Sequence, residues 1–177
     1  MTINTKYIST PILQTRDNAC GGFALASVLP DGANPEVIYA EIQAQQSHYT
    51  DKSRAGFLTA TKGGDFTRMS LPSAIVEVAK QHKCKNIKLC CAGATLKTAF
   101  PAGLYAEEMK TLQNKCTINE NATSYTPPAK SDVVHLVLVD GGQHWVSVDS
   151  SKTVYDPALG TRNFGSLNYN HLFIELS

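Results

Sequence analysis

The hydrophobic period of this chain changes near Asp132, and that change limits the folds open to it more than any other feature. Upstream, apolar residues recur at helical spacing; downstream they alternate. Val133 to Val139, His144 to Asp149 and Thr153 to Asp156 read as three short strands, the first two joined by a turn at Asp140-Gly141-Gly142. A helical first half and a sheet-forming second half predict an α+β domain, with the helical part packed on a C-terminal antiparallel sheet. The 177 residues suffice for one core and are short for two, so 1–177 reads as a single domain.

Within the helical half, Gly21 to Leu29 is small and apolar nearly throughout and is stopped by Pro30-Asp31-Gly32, which predicts a short helix buried on most sides. Asn34-Pro35-Glu36 supplies a cap, a first-position proline and early negative charge, and Val37, Ile38 and Ile42 follow at helical spacing to about Gln46. Ser47 to Ser70 shows no period and reads as a long surface loop. Leu71-Pro72-Ser73 opens another helix, with Ile75, Val78 and Ala79 as its apolar stripe and a charged opposite face. Ile87 to Cys91 reads as a strand. Gly103 to Lys115 reads as a peripheral helix with Leu104, Met109 and Leu112 inward, and Cys116 to Lys130 as irregular.

Composition removes several function classes. A net charge of +1 gives no long-range field to gather nucleic acid or an anionic membrane, so neither is expected as a partner. No apolar stretch approaches the roughly 18 residues of a membrane span, which predicts a soluble protein. Met1 to Thr10 has no apolar core of a secretory signal, so the expected location is the cytoplasm, or the outside by a signal-independent route. Cys20, Cys84, Cys90, Cys91 and Cys116 form an odd set with one adjacent pair, which fits free thiols better than disulfides.

One of these thiols stands apart. Cys20 falls at the start of the predicted buried helix, where unpaired N–H groups and the positive end of the helix favour thiolate over thiol. Gln14, six residues earlier, can supply a side-chain amide donor for the oxyanion of an acyl-transfer intermediate. A base is found far downstream. His144 opens a strand in Gly-Gly-Gln-His-Trp-Val, and with a hairpin loop at Asp149-Ser150-Ser151, His144 sits opposite Asp156. An aspartate there accepts the imidazole N–H and fixes the tautomer.

Each residue also has a plainer reading. A cysteine before an apolar helix is more often a buried small hydrophobe, and an aspartate before Pro157 more often a turn former. The order and spacing of the four positions favour chemistry. Trp145, on the opposite face of the strand, reads as core or cleft wall, and His135 as a satisfied structural residue. His48 and His171 have no constellation around them. Zinc is disfavoured because no C-x-x-C pair exists and Cys90 and Cys91 point to opposite faces of a strand. Gly63-Gly64 lacks the following lysine and hydroxyl of a phosphate loop, so neither metal nor cofactor is expected.

The Cys-Gly-Gly-Phe-Ala segment at Cys20, the Gly-Gly-Gln-His-Trp-Val run and the Val-Tyr-Asp-Pro close resemble the papain-like cysteine peptidase superfamily. The nearer likeness is its compact bacterial branch of bacteriocin-leader peptidases and secreted effectors. The resemblance covers residues 10–30 and 133–157. Gly21 stands where the plant enzymes carry tryptophan, and Asp156 where they carry asparagine. It implies a papain-like fold and a thiol hydrolase acting on an amide bond of a protein or peptide substrate. Cys20 would be nucleophile, His144 base, Asp156 orienter and Gln14 oxyanion donor. A protease is the first expectation; a glutamine deamidase or transglutaminase-like acyltransferase shares the first half-reaction. A bacterial effector or toxin role follows by resemblance only. The contrasting expectation is an inactive papain-like binding module.

Overall fold

The computed structural model describes residues 12–29, 33–47, 69–91, 102–122, 125–140 and 144–177, with the backbone alone at 102–105, 170 and 171. Among the described residues four helices, α1 (Cys20–Ala26), α2 (Pro35–Gln45), α3 (Pro72–Gln81) and α4 (Ala102–Gln113), accompany seven strands. The strands are β1 (Ile87–Cys91), β2 (Thr117–Asn119), β3 (Val134–Val139), β4 (His144–Val148), β5 (Thr153–Asp156), β6 (Gly160–Asn163) and β7 (Tyr169–Leu176). The architecture is mixed α+β. No helix among the described residues is long and apolar enough to cross a membrane.

α2 starts as its sequence requires: the Asn34 side chain accepts from the Glu36 N–H at 3.0 Å, and Pro35 takes the first helical position. Its inward face is Ile38, Tyr39 and Ile42, whereas Val37, expected inward, is half exposed because Tyr39 is the residue that meets α1. α3 has no cap of its own, since Leu71 offers no side-chain acceptor. Glu108 of α4 supplies one, accepting from the Ser73 N–H at 2.9 Å and the Ser73 hydroxyl at 2.6 Å. The apolar stripe of α3 is therefore wider than expected. Packed between α2 and α4, it also buries Ala74 and Val76.

The strands form one sheet in the order β2-β1-β7-β3-β4-β5-β6. Two expectations need correction. The sheet is not purely C-terminal and antiparallel: it recruits β1 and β2 from the middle of the chain, and β2, in a stretch read as irregular, pairs parallel to β1. The C-terminal β7 then inserts between β1 and β3, antiparallel to both.

Both faces are covered, which is why β3 is buried along its whole length. Leu136, Leu138, Trp145 and Ile174 lie under the helices. Val137, Val139, Val146, Val148 and Phe173 face the other way, beneath Tyr125, Phe164 and Tyr169. Cys91 joins the first layer and Cys90 the second, as strand alternation demands. Among the helix and loop predictions, Leu104, Pro30 to Gly32, Gly141-Gly142 and nearly all of the 47–70 loop lie outside the described side chains or residues.

Candidate active site

α1 brings Cys20 to the sheet because nothing larger than glycine fits behind it. A Cβ on Gly21 would lie 2.2 Å from the Ser70 Cβ and 3.2 Å from the Trp145 ring. One on Gly22 would lie 2.6 Å from the Tyr39 Cα. The helix is thus wedged between β4 and α2, and position 21 has no room for any side chain. The other end of α1 is pinned to β4 through hydroxyls: Ser27 and Ser147 reach the Ala24 carbonyl at 2.6 and 2.8 Å and lie 2.8 Å from each other. Trp145, on the same face of β4 as Ser147, donates its indole N–H to the Ser70 carbonyl at 2.9 Å. Cys20 is 6% exposed, and no side chain caps the helix it begins.

The β4–β5 hairpin differs in register from the arithmetic above. The Asp149 side chain accepts from the N–H groups of Ser151 and Thr153, and Lys152 takes a left-handed conformation (φ 62°), so the loop falls one residue later than expected. Val148 pairs with Val154 rather than Lys152. His144 is therefore diagonal to Asp156, not opposite it. The parity is unchanged, so both remain on one face, and His144 Nε2 lies 2.8 Å from Asp156 Oδ1.

Asp156 is 1% exposed, and its carboxylate is fully used. Oδ1 also accepts from the Ala158 N–H at 2.9 Å, and Oδ2 accepts from Arg162 Nη1 of β6 at 3.0 Å. Burial alone would raise this acid, but the hydrogen bonds from His144, Arg162 and Ala158 outweigh it and hold the carboxyl at about 2. His144 moves the other way. Burial disfavours its charged form, yet the hydrogen bonds to Asp156 and Cys20, with the attraction of both groups, push it up to about 10. At neutral pH the imidazole is a cation between a buried carboxylate and a thiol.

Gln14 reaches the same end of the sheet through its main chain: its N–H donates to the Pro157 carbonyl at 2.7 Å, one residue past Asp156. The Tyr155 hydroxyl also donates to the Ile12 carbonyl, and Arg16 pairs with Glu36 of α2 at 2.9 Å. The segment before Cys20 is thereby tied to both β5 and α2. The Gln14 side-chain oxygen is buried without a hydrogen-bond partner among the described residues.

Arg162 was not singled out from sequence, because only the β5–β6 register places it, with Val154 opposite Arg162 and Asp156 opposite Gly160. The other thiols sit elsewhere, and burial raises each of them, Cys84 to about 11 and Cys91 to about 12. His135, expected to be a satisfied structural residue, is so at one nitrogen: Nδ1 meets the Tyr125 hydroxyl at 3.3 Å, while Nε2 lies buried 3.4 Å from Glu175 Oε2. No group of metal-ligating side chains occurs among the described residues. Two cavities, of about 560 and 610 Å³, lie along the β1–β2 edge and beside His135, and neither includes Cys20, His144 or Asp156. Reactive groups, not cavity volume, locate this site. Comparison with known protein families, with curated proteins and with solved structures finds no match to this chain.

Proposed function

We propose that the protein is a thiol hydrolase of papain-like fold that cleaves an amide bond of a protein or peptide substrate through Cys20, His144 and Asp156. One observation carries this reading: His144 is held through Nε2 by a buried carboxylate while Cys20 hydrogen-bonds to the same imidazole. With Nε2 committed to Asp156, Nδ1 is the nitrogen left for the sulfur and the substrate.

In the proposed reaction the Cys20 thiolate adds to the amide carbonyl carbon, and the carbonyl π pair moves onto oxygen. The Gln14 side-chain amide and the Cys20 N–H donate to that oxyanion. Collapse of the intermediate breaks the C–N bond as His144 Nδ1 gives its proton to the departing amine, leaving a thioester. Water, losing a proton to Nδ1, then attacks the thioester and releases the carboxylic acid product, regenerating the thiolate–imidazolium pair. A charged imidazole at neutral pH suits the first half of this cycle, since it supplies the counter-charge and the proton together.

The test is incubation of parent and Cys20→Ala protein with a proteome-derived peptide library, read by mass spectrometry. New peptide termini with the parent alone support a protease. Conversion of side-chain amides to acids would move the reading to a deamidase, new amide cross-links to an acyltransferase, and no difference between the two proteins would refute it.

A further inference from the structure

A serviceable acid behind the histidine needs both a fixed carboxylate plane and a fixed charge. Asp156 has both, and the charge comes from β6. Its two oxygens are held by different partners: Oδ1 by His144 Nε2 at 2.8 Å and the Ala158 N–H at 2.9 Å, Oδ2 by Arg162 Nη1 at 3.0 Å. Rotation of the carboxylate about its last torsion breaks contacts on both sides. At 1% exposure there is no bulk water to replace them, and an acid left unpaired in such a place is strongly disfavoured.

Charge gives the same answer. An arginine does not deprotonate, so Arg162 keeps a permanent positive charge against the buried carboxylate without entering the proton traffic of the group. The arginine is also placed by the fold. Arg162 stands two positions along the same face of the β5–β6 ladder from the residue opposite Asp156, and Gly160 (φ 86°) makes the tight return that brings it there.

We propose that Arg162 is a positioning residue of this site, locking the Asp156 carboxylate so that it orients His144, and that this contact is what commits position 156 to aspartate rather than asparagine. The proposal rests on the thiol-hydrolase reading. Arg162 acts through Asp156 and His144 and touches no substrate. The titratable groups that meet Arg162 are Asp156 on β5 and Tyr169 on β7, while His144 on β4 and, through it, Cys20 on α1 are reached by way of Asp156. Burial raises Tyr169 to about 12, so it does not titrate near neutrality.

The test needs no known substrate. Iodoacetamide alkylation of Cys20 is followed against pH by peptide mass spectrometry, and the His144 Nε2–H hydrogen bond and titration by ¹H–¹⁵N NMR, in the parent, Arg162→Gln and Arg162→Lys. In Arg162→Gln the alkylation rate at pH 7 is expected to fall about 10- to 100-fold, the worth of one charge-assisted hydrogen bond. Without Arg162 the carboxyl protonates more easily, so the acid limb should move up by about one pH unit, and the hydrogen-bonded Nε2–H signal of the imidazolium should weaken and move upfield. Arg162→Lys keeps the charge and should restore the acid limb. Should Arg162→Gln fail to fold, Arg162→Met, which keeps the packing of the stem, carries the same test. An acid limb and an Nε2–H signal unmoved by loss of the guanidinium would overturn the proposal, even if thermal stability falls, since a purely structural arginine lowers stability alone. A parent Cys20 no more reactive than a free thiol would instead defeat the hydrolase reading. The NMR arm would still decide the role of Arg162.

Discussion

His144 and His135 lie at opposite ends of the same two-strand ladder, His144 opposite Val139 and His135 opposite Val148, on the same face of the sheet. Each has a carboxylate nearby, and the two titrate in opposite directions. His144 is pushed up to about 10; His135, where burial prevails over the attraction of Glu175, is pushed down to about 4. Geometry decides between them. Asp156 is buried and meets its histidine at 2.8 Å, while Glu175, a third exposed, stops at 3.4 Å. A carboxylate in the neighbourhood does not make a cationic histidine; a dry, aligned one does.

The surrounding residues sharpen the contrast. His144 has a thiol at a helix start, as the proposed reaction uses. The sulfur on the His135 face is Cys90, two strands away across β7, raised by burial and without a helix terminus to activate it. His135 is instead ringed by Tyr125 and Phe173, with centroids at 5.7 and 4.6 Å. One end of the ladder gathers a thiol, an imidazole and a buried carboxylate, and the other an aromatic cluster.

The largest expected effect separates the two ends by activity. His144→Phe should lower the rate of Cys20 alkylation at pH 7 and of any peptide cleavage by about a thousandfold or more, as loss of a member of a concerted group does. His135→Phe, in an aromatic setting that accepts the ring, should leave both within about twofold and stability within about 1 kcal/mol. Equal losses in the two variants would end the distinction. Next come the acids. Asp156→Ala removes one partner of a buried pair and should cost about 3–5 kcal/mol in urea unfolding, whereas Glu175→Gln, partly exposed, should cost under about 1 kcal/mol.

Legibility in the sequence followed how local each signal was. Cys20 could be placed because a small apolar run fixes a helix start, and the shared face of His144 and Asp156 because strand parity survives the one-residue displacement of the hairpin loop. The register itself was misread, since the left-handed conformation of Lys152 and the double acceptance by Asp149 are turn chemistry that no residue there advertises. β2 is only three residues long, too short for a period to show, and the place of β7 between β1 and β3 is set by pairing far along the chain. Two charged residues were missed for a related reason. Glu108 on an amphipathic helix reads as solvent-facing until α3 is seen to lack a cap, and Arg162 reads as an exposed strand residue until Asp156 is seen beside it.

The two histidines should also tilt stability against pH in opposite senses. Between about 4 and the ordinary 6.5, the unfolded chain binds a proton at His135 that the native state refuses, so stability rises with pH across that window. His144 contributes fully below 6.5 and loses its contribution as pH climbs through about 10, so stability falls across the upper window. Asp156 adds stability above its ordinary 3.8, lost as pH drops through about 2. Urea midpoints should therefore peak near pH 6.5. His135→Phe should flatten the rise below pH 6.5, and His144→Phe the fall above it together with part of the Asp156 contribution at low pH.

The smallest expected effect tests whether the packed end is only packing. The Tyr125 hydroxyl lies 3.3 Å from His135 Nδ1, the one hydrogen-bond contact of that imidazole among the described residues, while the Tyr125 ring stacks on Tyr169 at 4.8 Å. Tyr125→Phe keeps the stack and removes the hydroxyl, so it should cost about 0.5–1.5 kcal/mol, the net worth of a single hydrogen bond. His135 should stay neutral at pH 7, because burial rather than the hydroxyl sets its direction. Alkylation of Cys20 should not change, since the hydroxyl faces the ladder end remote from His144. A Tyr125→Phe protein whose Cys20 reactivity shifts with pH would mean the two histidines communicate along β3 and β4, and the division between a reactive end and a packed end would fail.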